Sequence, residues 1–128
     1  MGFFSRSKSN TENSNRIQWK SLAGIEEVDN VILASNNVPQ VILKHSTRCG
    51  TSFFVKRNLD MINADDASGT DFHIIDVIAD RSVSNYLSEK FEIRHESPQA
   101  FVLRDGAVVW HGSHTSVNES KILNALKE

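Results

Sequence analysis

The sequence predicts an α/β fold in which a central mixed β-sheet of about four strands is flanked by helices on both faces. Segments with strand character alternate with segments of helical periodicity through most of the 128 residues. A hairpin signal, Asp105-Gly106, separates two apolar runs near the carboxyl end of the chain. The length is that of one ordinary domain, and an apolar content of 39% is enough for one sizeable core.

The first elements follow from apolar spacing and from one proline. A helix is predicted over about Ile25–Ala34, where apolar residues recur every three or four positions. Pro39 ends this segment, because a proline disfavours helix at the residue before it. Residues 41–45, VILKH, begin with three apolar side chains and predict a short buried strand. Residues 51–62 are rich in apolar side chains without strict alternation, which predicts a second helix with a mostly buried face.

The next elements repeat this alternation. Residues 71–78 have the composition of another strand, after a loop rich in turn-forming residues. Residues 81–91 show helical spacing, and Ser82 is predicted to cap that helix. Residues 100–103 and 107–110 are the two strands of the predicted hairpin, since an Asp-Gly pair tolerates the positive backbone angles of a tight turn.

A last helix is predicted after the hairpin, because Ser116 and Glu119 have the spacing of a capping box and are followed by apolar residues. The predicted order is helix, strand, helix, strand, helix, strand, strand, helix. Helices between the first strands make those strands parallel, whereas the hairpin adds an antiparallel pair. This order of elements is the thioredoxin-like plan.

The beginning of the chain has a different composition. Residues 1–15 are mostly Ser, Asn and charged side chains after an isolated pair of phenylalanines, too polar to bury much surface. We therefore predict a flexible N-terminal arm over residues 1–15 and a single thioredoxin-like domain over residues 16–128.

Composition and charge exclude several classes of function. The net charge is −2 with dispersed Lys and Arg, which argues against nucleic acid and membrane surfaces as partners. No apolar run approaches the about 20 residues that span a bilayer, and a soluble, cytoplasmic protein is expected. One cysteine excludes a disulfide framework and fits a reducing compartment. The five histidines lack typical ligand spacing, so no metal and no tightly bound cofactor are expected.

Cys49, the only cysteine, lies between a predicted strand and a predicted helix. In open α/β sheets the active site lies outside the carboxyl ends of the parallel strands. The free N–H groups and the dipole of a first helical turn favour a thiolate, and the cations Lys44 and Arg48 lower the pKa of a nearby cysteine further. Ser52 occupies the position of the second cysteine of a C-x-x-C motif, where its hydroxyl can donate a hydrogen bond to sulfur.

Pro98 is the second indication of a site. It precedes the first strand of the predicted hairpin, the place at which thioredoxin-like folds keep a cis-proline beside the cysteine. The main-chain groups of Ser97 can then pair with an extended substrate laid across the sulfur. In the alternative interpretation, Pro98 is an ordinary loop or edge-strand proline and Cys49 is an inert core residue, as free cysteines usually are.

Two segments of the sequence resemble a known family. VILKHSTRCGTS, followed much later by HESPQAFVLRDGAVVWHGSH, resembles the monothiol bacilliredoxins, thioredoxin-like bacterial general stress proteins of the bacillithiol system. The resemblance covers roughly Ile17 to Leu126. The family is associated with removing bacillithiol from cysteines capped as mixed disulfides. The resemblance therefore implies that Cys49 is the attacking thiol, bacillithiol the co-substrate, and S-thiolated client proteins the partners.

The active-site run departs from that family's usual Thr-Cys-Pro-Ile-Ser. The present chain reads Arg48-Cys49-Gly50-Thr51-Ser52, and Gly50 stands where a proline would fix the first helical turn. The same run also resembles the Cys-Gly-Phe-Ser of monothiol glutaredoxins, which share glutathione-ligated iron–sulfur clusters. Those proteins keep a Thr-Val-Pro and a Gly-Gly-Asp downstream, whereas this chain has Glu-Ser-Pro-Gln and no Gly-Gly.

A single thiolate can take a small thiol from a protein disulfide and be freed by a second small thiol, because exchange proceeds one sulfur at a time. In the leading hypothesis Cys49 is the nucleophile. The helix start that stabilises its thiolate is formed by Gly50, Thr51 and Ser52. The carboxylates of the small thiol are attracted by Arg48 or Lys44. The client-binding groove is assigned to these two neighbouring residues: Ser97 and Pro98. Two alternatives stay open, a non-catalytic thioredoxin-fold stress adaptor and a glutaredoxin-like iron–sulfur carrier.

Overall fold

The computed structural model describes residues 15–67 and 69–128, so the predicted N-terminal arm lies outside the described residues except for its last position. The strands in these ranges are β1 (Trp19–Ser21), β2 (Gln40–His45), β3 (Asp71–Asp76), β4 (Gln99–Arg104) and β5 (Ala107–Ser113). The helices are α1 (Ile25–Ala34), α2 (Gly50–Leu59), α3 (Arg81–Phe91) and α4 (Glu119–Lys127), with a 3-10 turn at His114–Ser116. No helix among the described residues has the length and apolar character needed to cross a membrane.

The strands form one mixed sheet in the order β1-β3-β2-β4-β5. Strand β3 pairs in parallel with both β1 and β2, and β4 pairs antiparallel with β2 and β5. The predicted α/β class with a mixed sheet is therefore confirmed. The expected strand count of about four is low by one, because β1 is only Trp-Lys-Ser and three residues are too short to show a period of two.

Helices cover both faces of the sheet, and β2 contributes to both cores. Val41 and Leu43 pack in a cluster with residues of α2 and α4. Ile42, between them, packs in a second cluster with residues of α1 and α3. Successive side chains of a strand point to opposite faces, so Lys44 lies on the face of Ile42, and His45 lies on the face of α2.

The predicted hairpin is confirmed. Its two turn residues both have positive φ angles, 55° at Asp105 and 79° at Gly106, as a tight two-residue turn requires. The amide of Asp105 donates to the carbonyl of Ser35, and the amide of Gly106 donates to the Ser35 hydroxyl at 2.9 Å. The end of α1 thereby anchors the turn between β4 and β5.

Two predicted helix caps are wrong. The residue before α3 is Asp80, whose carbonyl accepts the first amide hydrogen bonds of the helix, so Ser82 already lies inside it. Helix α4 is capped by Asn118, whose side chain accepts from the amide of Lys121 at 3.0 Å. Ser116 is instead the last residue of the 3-10 turn at His114–Ser116, which precedes this cap.

Candidate functional site

Cys49 is the N-cap residue of α2, reached by a short turn from the end of β2. Its backbone is extended, with φ −111° and ψ 120°, and its carbonyl accepts the first hydrogen bond of the helix from the amide of Phe53 at 3.1 Å. The amide of Cys49 donates to the carbonyl of Ser46 at 3.3 Å, which closes the turn. The side chain is partly exposed, so the sulfur lies at the helix start and within reach of solvent.

The first turn of α2 lowers the pKa of Cys49 below its ordinary value. The amide of Ser52 is the main cause. Partial burial opposes it as the second-largest effect, and the Ser52 hydroxyl and the amide and hydroxyl of Thr51 add smaller contributions to the lowering. The neutral thiol makes no capping hydrogen bond, so these donors gain a strong acceptor when the sulfur ionises. The site therefore favours the thiolate, which is the form that attacks disulfides.

Ser52 is completely buried beneath this turn. Its hydroxyl oxygen accepts from the amide of Ser46 at 3.3 Å, which leaves the hydroxyl proton available to the sulfur. Ser52 thus lies between the loop that leaves β2 and the thiol of Cys49. The structure brings Cys49, Thr51 and Ser52 together at one helix start.

Replacing Ser52 with alanine is expected to raise the pKa of Cys49 and to slow its alkylation by iodoacetamide at neutral pH by about tenfold, because a donor to an ionised group is lost. The pH dependence of alkylation, followed by mass, measures both quantities. Thr51→Ala is the matched control and should have a smaller effect in the same direction, since its hydroxyl contributes less. An unchanged pH midpoint in Ser52→Ala would show that the Ser52 hydroxyl does not contribute to the acidity of Cys49.

Gly50 is the first residue of α2, the position at which the resembling family has proline. A Cβ built on Gly50 meets no atom within 4 Å, and the extended backbone of Cys49 is the conformation that a residue before proline prefers. The local structure therefore has room for the proline that the sequence lacks.

Gly50→Pro is expected to stabilise the protein by about 0.4–1 kcal/mol, because proline restricts the unfolded chain and fits the first helical position. Urea unfolding measures the change. Gly106→Ala is a contrasting variant that should lose stability, since Gly106 has a φ of 79°. A loss of stability in Gly50→Pro comparable to that in Gly106→Ala would contradict the prediction.

The two cations predicted to bind the small thiol lie in different places. Arg48 is exposed in the turn next to Cys49. Lys44 is completely buried on the other face of the sheet, where its ammonium group contacts Ser88 of α3 at 2.6 Å. Strand alternation separates it from the face that carries α2. The prediction that Lys44 attracts carboxylates is therefore corrected, and only Arg48 is positioned for that contact.

The predicted cis peptide bond between Ser97 and Pro98 is present. Pro98 is buried, and its carbonyl accepts from the amide of His114 at 2.8 Å. Lys44 pairs with Gln99 in the antiparallel register, so Pro98 lies beside the carboxyl end of β2. The turn that carries Cys49 leaves the sheet at this same end of β2. Among the described residues, neither the amide nor the carbonyl of Ser97 has a main-chain partner, so both remain available to an extended chain.

Two grooves flank α2, one on each side. The first has a volume of about 290 Å³ and is mostly apolar, with these lining residues: Thr51, Phe54, Val55, Asn58, Thr115, Val117 and Asn118. The second has a volume of about 320 Å³ and carries two cations, with these lining residues: His45, Phe53, Lys56, Arg57 and Asp60. Asp60 is paired with Lys56 at 3.0 Å, so Arg57 gives this second groove a net positive charge.

The grooves were missed at the level of sequence because residues 51–62 were interpreted as a helix with a mostly buried face. Phe53 and Phe54 are instead 55% and 69% exposed. Adjacent helical residues differ by about 100° in direction, and the buried positions of α2 are Ser52, Val55 and Leu59. An adjacent aromatic pair beside that buried row is the signal that could have shown these exposed rings.

Comparisons with known proteins identify a family and a fold. The family described as "Monothiol bacilliredoxin BrxC" matches residues 20–122. A solved structure described provisionally as an oxidoreductase with a thioredoxin fold is 29% identical, with 86% of this chain and 94% of that chain covered and a TM-score of 0.75. Thioredoxin from Malassezia sympodialis is 16% identical, with 88% and 91% covered and a TM-score of 0.68. Thioredoxin from Trypanosoma brucei brucei is 14% identical, with 86% and 88% covered and a TM-score of 0.67. These two thioredoxins show the fold alone.

Proposed function

Because this chain belongs to the monothiol bacilliredoxin family, we propose that it removes a low-molecular-weight thiol, bacillithiol, from protein mixed disulfides by attack of Cys49. The observation that carries this proposal is the position of Cys49, partly exposed at the start of α2 among donors that favour its thiolate. Its setting is a reducing cytoplasm, where a single free thiol persists.

The reaction proceeds in two exchange steps. The Cys49 thiolate attacks the small-thiol sulfur of the mixed disulfide, a bond between these two sulfurs forms, and the client protein leaves as a thiolate that takes a proton from water. A second small-thiol thiolate then attacks the adduct, releases Cys49 as a thiolate and leaves as a symmetric small-thiol disulfide. Both steps conserve electrons. The chain has one cysteine, so an external thiol must supply the second step.

Binding of the small thiol is assigned to cations around Cys49. Arg48 is exposed beside the sulfur, and the groove that contains Arg57 begins one helical turn away, at Phe53. Both positions attract carboxylates, which a thiol such as bacillithiol carries. The buried Lys44 takes no part in this contact. The apolar groove that contains Phe54 and the free main chain of Ser97 are left for the client protein.

The test uses a small carrier protein with one S-thiolated cysteine, prepared once with bacillithiol and once with glutathione. This chain is added in catalytic amount with an excess of the corresponding small thiol, and released carrier is quantified by mass. Several turnovers, faster with bacillithiol than with glutathione, are expected. Faster turnover with glutathione would overturn the assignment of the small thiol. An absence of release from both carriers would overturn the oxidoreductase function and favour a non-catalytic adaptor.

A further inference from the structure

We propose that buried Lys44 is a positioning residue which, acting through His95, holds residues 94–98 in the conformation that presents the main chain of Ser97 to the client. This inference rests on the proposed function, because it assigns Lys44 to the client-binding groove. The inference is suggested by one contact, in which the ammonium group of Lys44 on β2 meets the side chain of His95, three positions before the cis-proline.

Lys44 has an environment that is unusual for lysine. It is completely buried, and its ammonium group lies 2.6 Å from the hydroxyl of Ser88 and 3.1 Å from Nδ1 of His95. The ring of Phe101 lies below it, with 5.7 Å between Nζ and the ring centroid. Among the described residues, no carboxylate forms an ion pair with it. An apolar side chain would fill this space without the cost of desolvating a charge, so packing does not explain the lysine.

His95 is the link to the substrate groove. The same Nδ1 atom lies 3.3 Å from the hydroxyl of Ser84, so β2 and α3 both hold the imidazole. Burial and the nearby positive charge of Lys44 lower the pKa of His95, which keeps the ring neutral near pH 7. An ammonium group can only donate, so Nδ1 is the acceptor in this contact and the proton of the neutral ring lies on Nε2. The contact is therefore a charge-assisted hydrogen bond, the stronger class.

The other residues of the segment are fixed by separate contacts. The buried side chain of Gln99 donates to the carbonyl of Arg94 at 2.9 Å and accepts from the amide of Glu96 at 3.3 Å. The hydroxyl of Ser113 donates to the carboxylate of Glu96. Ser97 differs, because its side-chain oxygen is buried without a hydrogen-bond partner among the described residues and its main chain is unpaired. The segment is thus clamped on both sides of Ser97, whose main chain remains open to a ligand.

The experiment compares wild type with Lys44→Met, His95→Ala and the double variant, with Lys90→Met as an exposed-lysine control. Steady-state release of the small thiol from a carrier protein gives KM and kcat, and iodoacetamide alkylation against pH gives the acidity of Cys49. We expect KM for the carrier to rise about tenfold in each single variant and no further in the double variant. The values of kcat and the alkylation profile should stay within about twofold of wild type. The control should match wild type.

A wild-type KM in Lys44→Met, or a parallel loss of Cys49 alkylation, would overturn the positioning role. Amide hydrogen exchange provides a second readout that does not depend on turnover. Lys44→Met and His95→Ala should both accelerate exchange within residues 94–98 and leave the first turn of α2 unchanged. If wild type released no small thiol, the proposed function would fail while this exchange pattern still tested the coupling. Unchanged exchange in residues 94–98 would overturn the coupling itself.

Discussion

Replacing Cys49 with serine is expected to lower the release of the small thiol from a carrier protein by at least about a thousandfold, to the rate of the uncatalysed reaction. A serine hydroxyl is not ionised at neutral pH, and oxygen cannot form the disulfide adduct from which the second small thiol frees the enzyme. The measurement is the catalytic release assay with a bacillithiol mixed disulfide.

The Cys49→Ser variant should keep its fold, which makes a loss of activity interpretable. The thiol makes no capping hydrogen bond, and serine is a favoured residue at a helix N-cap. Thermal unfolding of the variant should therefore match or slightly exceed that of wild type. Release at the wild-type rate by a folded Cys49→Ser chain would remove Cys49 from the reaction and with it the proposed function.

Replacing Lys44 with methionine is expected to change how stability depends on pH. Burial lowers the pKa of Lys44 from 10.5 to about 8 in the folded protein. Between these values the unfolded chain holds a proton that the folded chain has lost, so raising the pH stabilises wild type by up to about 3 kcal/mol relative to Lys44→Met. Below pH about 8 the full cost of burying the charge remains, and the variant has its largest relative stability there.

The measurement is the free energy of unfolding in urea at a series of pH values from about 7 to 10.5. The variant also loses the hydrogen bonds to Ser88 and His95, which lowers its stability by about 1–2 kcal/mol, so the test is the slope of the difference with pH and not its absolute size. Lys90→Met, at an exposed position of α3, should show no such slope. A constant difference between Lys44→Met and wild type would show that Lys44 stays protonated across this range.

Much of the fold could be predicted because its signals are local. The helix over Ile25–Ala34 was predicted with its observed bounds, since three turns of apolar spacing define it. The Asp105-Gly106 turn and the cis bond before Pro98 follow from turn chemistry and from the order of elements. Strand β1 and the cap at Asn118 were missed, because a three-residue strand has no period and a 3-10 turn displaced the expected cap.

The candidate site was likewise predicted in part, where its contacts are local in sequence. The environment of Cys49 could be predicted, since a strand, a short turn and a helix start place Ser52 beside the sulfur within a few residues. Lys44 was misassigned, because its partners Ser88 and His95 are 44 and 51 positions away in sequence. No local pattern shows which side chains of α3 and of the segment before β4 meet a strand residue across the fold.

The most direct test of the proposed transfer is single-turnover intact mass spectrometry of this chain mixed with an equal amount of carrier protein bearing a bacillithiol mixed disulfide. The mass of one bacillithiol should appear on Cys49 as it disappears from the carrier, with the same rate constant, and it should not appear on Cys49→Ser. Loss of bacillithiol from the carrier with no adduct on Cys49, or a disulfide between the two proteins as the first product, would contradict the proposed attack.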